Sequence, residues 1–191
     1  MNKKKIGIFG GSFNPIHNWH VKLIEETLAK KLVDEVWIIP CKEHVFDKKL
    51  INADKRLRMI EYAIEGIENV RINDIEIKTN GKSYTLNTLR ELKKKYPHEF
   101  YLIVGSDILS ELDKWHRIEE LKTEVNFLVF PRKDYPIKEK LGDNFYVVDI
   151  FPEILSSTEI RNKIQQGESI LELVPAKVYD YIRREDLYNG I

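Results

Sequence analysis

Short, wholly apolar runs alternate with stretches of helical periodicity, and this rhythm constrains the fold more than any other feature of the 191-residue chain. Ile6–Phe9, Val36–Ile39, Phe100–Val104, Asn126–Phe130 and Phe145–Ile150 are runs of four to six residues. In most of them no polar residue marks a solvent face, as expected of strands covered on both sides. Helical spacing lies between them, from about Asn18 to Lys31 and from Thr85 to Tyr96, where Pro97 ends the pattern. Asp54 can cap a helix whose apolar residues Leu57, Ile60, Ala63 and Ile64 fall three and four apart. Val70–Ile77 alternates and is expected to be extended, with a turn at Asn80-Gly81. Ser156–Gln166, closed by Gly167, and Pro175–Arg184 are the last two expected helices. The whole reads as an α/β, Rossmann-like, doubly wound parallel sheet with helices on both faces. It is expected to form a single domain over residues 1–191, with a helical portion from about 156 to 191.

Composition excludes several classes. Lys+Arg and Asp+Glu number 31 each, so no net field draws in nucleic acid. The one cysteine, Cys41, permits no internal disulfide and fits a reducing compartment. The basic start Met1–Lys5 leads into an apolar stretch that breaks at Gly10-Gly11, too short for a signal peptide. No segment approaches the ~18 apolar residues of a membrane span. A cytoplasmic location is expected, with no nucleic-acid or membrane partner, and a homo-oligomer stays open.

Ligands of such sheets bind beyond the carboxyl ends of the strands, where the chemically informative residues lie. After the first run come Gly10, Gly11, Ser12 and Phe13, a turn at Asn14-Pro15, and then His17 and His20 at a helix start. Glycines let the backbone approach a ligand closely. A helix start offers unpaired N–H groups and a positive dipole end, so the segment reads as a polyphosphate cradle. A metal pair at i, i+3 would need further ligands, for which Glu25 and His44 are available, and no spacing demands them. Far along the chain, Ser156 and Glu159 have capping-box spacing. Ser157 and Thr158 add hydroxyls there, and Arg161 can bring a bidentate guanidinium one turn in.

These motifs together resemble the nicotinate-nucleotide adenylyltransferases, in the nucleotidyltransferase superfamily marked by His-x-Gly-His. The resemblance rests on Gly10-Gly11-Ser12-Phe13-Asn14-Pro15-Ile16-His17-Asn18-x-His20, Ser83-Tyr84-Thr85-Leu86-Asn87-Thr88-Leu89 and Gly105-Ser106-Asp107 followed by Trp115. It continues through Ser156-Ser157-Thr158-x-Ile160-Arg161 and the pattern Val174-Pro175 to Tyr188. It implies transfer of AMP from ATP to the 5′-phosphate of nicotinate mononucleotide, with pyrophosphate released. By position, it implies that Gly10, Gly11, Ser12, Phe13, His17 and His20 hold the ATP phosphates. Gly105 and Asp107 would serve the adenosine side, with Ser157, Thr158 and Arg161 on the triphosphate. His17, His20 and Arg161 would stabilise the reacting phosphates. His44, Tyr84, Thr85, Trp115 and Arg132 would meet the pyridine substrate. Mg2+ would come bound through the ATP phosphates, with no dedicated protein ligands. A phosphate-facing imidazole that takes up a proton would make activity pH-dependent near neutrality.

Three departures keep other readings open. Trp19 stands where the family has glycine, and its indole could stack on adenine, swing outward or block the site. Residues 42–49 replace the family's Pro-Pro-His-Lys, which leaves the acceptor open: nicotinamide mononucleotide or another phosphate in place of nicotinate mononucleotide. Asn87 and Asn14 stand where the family favours aspartate. A nucleotide-binding protein of impaired catalysis is the reading from another class.

Overall fold

The computed structural model describes residues 2–42, 50–79, 83–137 and 141–189. Six parallel strands, β1 (Lys5–Gly11), β2 (Glu35–Pro40), β3 (Val70–Ile72), β4 (Glu99–Gly105), β5 (Asn126–Phe130) and β6 (Phe145–Val147), form one sheet in the order β3-β2-β1-β4-β5-β6. Strand order reverses between β1 and β4, and such a switch point opens a crevice at the carboxyl ends. Successive residues of each strand enter opposite cores. Ile6, Ile8, Trp37, Ile39, Leu102 and Val104 pack on one side; Phe9, Ile38, Ile103 and Leu128 pack on the other.

The helices are α1 (Asn18–Ala29), α2 (Ala53–Ile64), the single turn α3 (Ile75–Lys78), α4 (Thr85–Lys95), α5 (Ile118–Glu124), α6 (Ser157–Gln165) and α7 (Ala176–Arg184). Leu86, Leu89 and Leu92 carry α4 onto the first core, whereas Leu23, Met59, Ile160 and Val178 carry α1, α2, α6 and α7 onto the second. This is the doubly wound arrangement expected from the apolar runs.

Four expectations are corrected. Residues 70–77 are not extended throughout: β3 ends at Ile72, the Asn73 side chain accepts from the Ile75 amide at 3.2 Å, and α3 follows. The residue capping α2 is Asn52, whose side chain accepts from the Asp54 amide at 2.7 Å. A 3-10 stretch over Ser106–Lys114 and helix α5 occupy a region where no helix was expected. Strand β6 stops at Val147, three residues early. The turn expected at Asn80-Gly81 lies outside the described residues. No helix of the described residues is long and apolar enough to cross a membrane.

Candidate active site

The loop after β1 is shaped by what surrounds it. A Cβ on Gly11 would come within 3.1 Å of the Phe13 ring, whereas one on Gly10 would meet open space. Phe13 takes a left-handed φ of 47° and is buried, so its side chain packs inward; it borders neither of the two chambers beside the loop. His17 caps α1 and is buried; His20 follows one turn later, its ring stacked on His17 at 3.6 Å between centroids. The His17 amide donates to His20 Nδ1 at 3.2 Å, and the buried His17 Nδ1 has no hydrogen-bond partner among the described residues. Phe9 and Phe13 meet the His20 ring edge-on. Burial in this apolar nest, with the Arg132 charge nearby, pushes the His20 pKa down to about 3 and holds His17 well below the usual imidazole range. Both rings are therefore neutral at pH 7 without a nucleotide.

The start of α6 lies against this loop. Ser157 Oγ donates to the Pro15 carbonyl at 2.9 Å, and Arg161 Nη1 donates to the Asn14 carbonyl at 2.8 Å. Residues some 140 positions apart thus meet at one edge of the sheet. Thr158, exposed, accepts from Arg161 Nη2 at 3.1 Å. Ser156 caps α6 through the Glu159 amide, as the capping-box spacing predicts.

Two adjoining chambers open beside the loop. The smaller, about 180 Å³, is lined by Gly10, Trp19, His20, Gly105, Asp107 and Arg132 among others. Arg132 Nη1 pairs with Asp107 Oδ2 at 3.2 Å, and Nη2 donates to the Leu155 carbonyl at 3.0 Å. Arg132, expected with the acceptor residues, thus sits with Gly105 and Asp107. A Cβ at 105 would stand 2.3 Å from Asp107 Oδ1, so any side chain there must displace the Asp107 carboxylate. Trp19 is packed inward in the core, with one edge on this chamber; it does not swing outward. Lys22 Nζ lies 5.3 Å from its ring and pairs with Glu153 at 2.9 Å.

The larger chamber, about 640 Å³, is lined by Gly11, Ser12, Tyr84, Thr85, Trp115 and His116 among others. The 3-10 stretch ends at Trp115, which borders both chambers, and Tyr84 faces His116 at 4.4 Å between ring centroids. Tyr84 also stands at the N-cap of α4, so the first turn of that helix opens here. Burial raises the pKa of Glu76, which lines the same chamber and accepts from Thr88 Oγ1 at 2.7 Å. His17, Ser157, Thr158 and Arg161 border neither chamber; they form the shoulder behind the loop. His44 lies outside the described residues.

Sequence reasoning missed His116, Glu76 and Arg56. His116 adjoins a motif tryptophan, a signal that was available; Glu76 and Arg56 carried none. Among the described residues, no three His, Cys, Asp or Glu side chains are grouped to hold a metal ion.

Comparison with known proteins places this geometry. A family model described as cytidylyltransferase-like matches residues 8–163. A protein of Oceanobacillus iheyensis named probable nicotinate-nucleotide adenylyltransferase is 40% identical over 188 residues, covering 97% of each chain. A Streptococcus pyogenes protein of the same name is 41% identical, covering 98% of this chain and 90% of its own. Among solved structures, Plasmodium falciparum nicotinic acid mononucleotide adenylyltransferase complexed with NaAD superposes with a TM-score of 0.87 at 25% identity, over 97% of each chain.

Proposed function

The chain belongs to the cytidylyltransferase-like family and, within it, to the nicotinate-nucleotide adenylyltransferases, and from that we propose that it moves AMP from ATP to the 5′-phosphate of nicotinate mononucleotide. The products are nicotinate adenine dinucleotide and pyrophosphate. The observation that carries the reading is the junction of the two helix starts, with Ser157 and Arg161 bonded to the carbonyls of the loop that leads to His17 and His20. Two sets of helix-start donors at one strand end suit a triphosphate.

An oxygen of the acceptor phosphate attacks the α-phosphorus in line, and the bond to the pyrophosphate oxygen breaks. The nucleophile is already an anion, so no general base is needed and catalysis reduces to alignment and charge stabilisation. His20, on the smaller chamber, donates to the α-phosphate oxygens; an anion there raises its pKa back toward neutrality. His17 supports His20 through the stacked ring. Arg161 and Thr158, on the shoulder beside the chambers, receive the β,γ-phosphates, while Ser157 holds that helix start against the loop. Gly105 and Asp107 take the ribose side with Arg132 beside them. Tyr84, Thr85 and Trp115 receive the pyridine ring in the larger chamber. Magnesium would come with the ATP substrate and would offset phosphate charge, since among the described residues no His, Cys, Asp or Glu cluster would hold it separately.

One observation favours a second acceptor. The amide of nicotinamide mononucleotide needs a hydrogen-bond acceptor, and Glu76 places a carboxyl on the larger chamber. Pyrophosphate release from ATP, measured with each mononucleotide and with none, decides among the readings. Release with nicotinate mononucleotide is expected. Release only with the nicotinamide form shifts the assignment, and nucleotide binding without release overturns it.

A further inference from the structure

Arg56 is completely buried on the face that α2 turns to the core, beside Met59, Ile60 and Ala63. An arginine rarely occupies such a place without a carboxylate. Among the described residues no acidic side chain pairs with it. Its donors go to main-chain carbonyls: Nη1 to Ser12 at 2.8 Å, Nη2 to Cys41 at 2.7 Å and Lys42 at 3.3 Å, and Nε to Ile51 at 3.2 Å. Ser12 belongs to the loop after β1, Cys41 and Lys42 follow β2, and Ile51 leads into α2. One guanidinium therefore gathers three pieces of chain, two of which, at Ser12 and Cys41, line the larger chamber.

In a planar trans peptide the N–H points opposite to the C=O. Drawing the Ser12 and Cys41 carbonyls toward Arg56 turns the amides of Phe13 and Lys42 away from it. The Cys41 amide itself donates to the Gly11 carbonyl at 3.0 Å, so the two loops are joined twice. The guanidinium charge, which among the described residues is hydrogen-bonded to carbonyl oxygens and paired with no carboxylate, adds a positive field behind the loop after β1.

We propose that Arg56 is a positioning residue that locks the loops after β1 and β2 to each other, so that the sites for the two reacting phosphates are set at a fixed separation. This deepens the proposed adenylyl transfer and rests on it. Lysine can carry the charge but cannot fork to four carbonyls.

The test uses the full chain with Arg56→Lys and Arg56→Ala, with circular dichroism and thermal melting beside kinetics. For folded Arg56→Lys, KM for ATP and for nicotinate mononucleotide should both rise about tenfold, with kcat lowered. Guanidinium ion at tens of millimolar should restore part of the turnover of Arg56→Ala, while equal sodium chloride should not. A folded Arg56→Lys with kcat and both KM values within about twofold of the parent overturns the proposal, as does equal response of Arg56→Ala to the two salts. If Arg56→Ala does not fold, Arg56→Lys alone decides. Failure of the adenylyl-transfer reading is seen separately, as a parent protein without turnover. Calorimetric affinity for MgATP then judges Arg56: about tenfold weaker binding in Arg56→Lys supports it and equal binding overturns it.

Discussion

At the end of the site proposed for the phosphates, polar side chains donate to main-chain carbonyls: Arg56 to Ser12, Ser157 to Pro15 and Arg161 to Asn14. At the end proposed for the acceptor, rings stand in the wall beside Glu76, Thr85 and Thr88, with Tyr84 against His116 and Trp115 between the chambers, and Tyr84 caps α4 without a side-chain hydrogen bond. The first end is fixed before any ligand arrives, as stabilisation of developing phosphate charge requires. The second offers apolar faces that accept a flat ring in more than one pose. On the proposed assignment, chemistry is built into the frame and choice of acceptor is left to the chamber that the rings border.

Substitutions at each end can break this contrast. Trp19→Gly removes the largest side chain packed behind the phosphate end, and should cost about 3–5 kcal/mol of stability by chemical denaturation. Turnover per folded molecule should stay within a few-fold of the parent, because the indole serves packing; a much faster variant would show that the indole obstructs the nucleotide. His20→Ala should lower kcat by about 100-fold or more with the far-ultraviolet spectrum unchanged, as loss of a preorganised donor does. An unaltered kcat would remove His20 from the chemistry.

Gly105→Ala and Trp115→Ala sharpen the comparison from opposite sides. The added methyl would collide with Asp107 and Arg132, so KM for ATP should rise about tenfold while KM for the acceptor moves less. Trp115→Ala should do the reverse, raising KM for the mononucleotide by up to about tenfold, the worth of one ring contact. Equal changes in both constants in both variants would mean that the two ends are not separable.

The smallest effect concerns acid. His20 is held neutral with a pKa of about 3, while the unfolded chain protonates near 6.5. The unfolded state therefore binds more protons between those values, and stability falls as pH drops from about 6.5 toward 3. His17 shifts in the same sense. The melting midpoint should decline from pH 7 to 5, and decline less in His20→Asn.

The strands were legible because burial on both faces leaves no polar residue to confuse the pattern. The meeting of the His17 and Arg161 regions was legible too, since parallel topology brings strand ends together. Other features were hidden for physical reasons. Ser106–Lys114 repeats every three residues rather than every 3.6, so its apolar positions do not trace a helical stripe. The alternation of 70–77 imitates a strand, and only the Asn73 side chain turns it into α3. Arg56 looks like a solvated residue on any helix pattern, because what neutralises its burial is a set of carbonyls from distant loops. Trp19 reads as a bulky departure in the motif, and its burial in the core with one edge on the smaller chamber is visible only from its neighbours in space.

The hydroxyl of Tyr188 donates to Asn14 Oδ1 at 3.0 Å, inside the protein and 174 positions away. A ribosome-bound chain that has not yet released this tyrosine therefore holds a cradle with one of its fastenings missing. Cutting the chain before Tyr188 is expected to lower activity by loosening Asn14 rather than by removing a residue proposed to meet substrate.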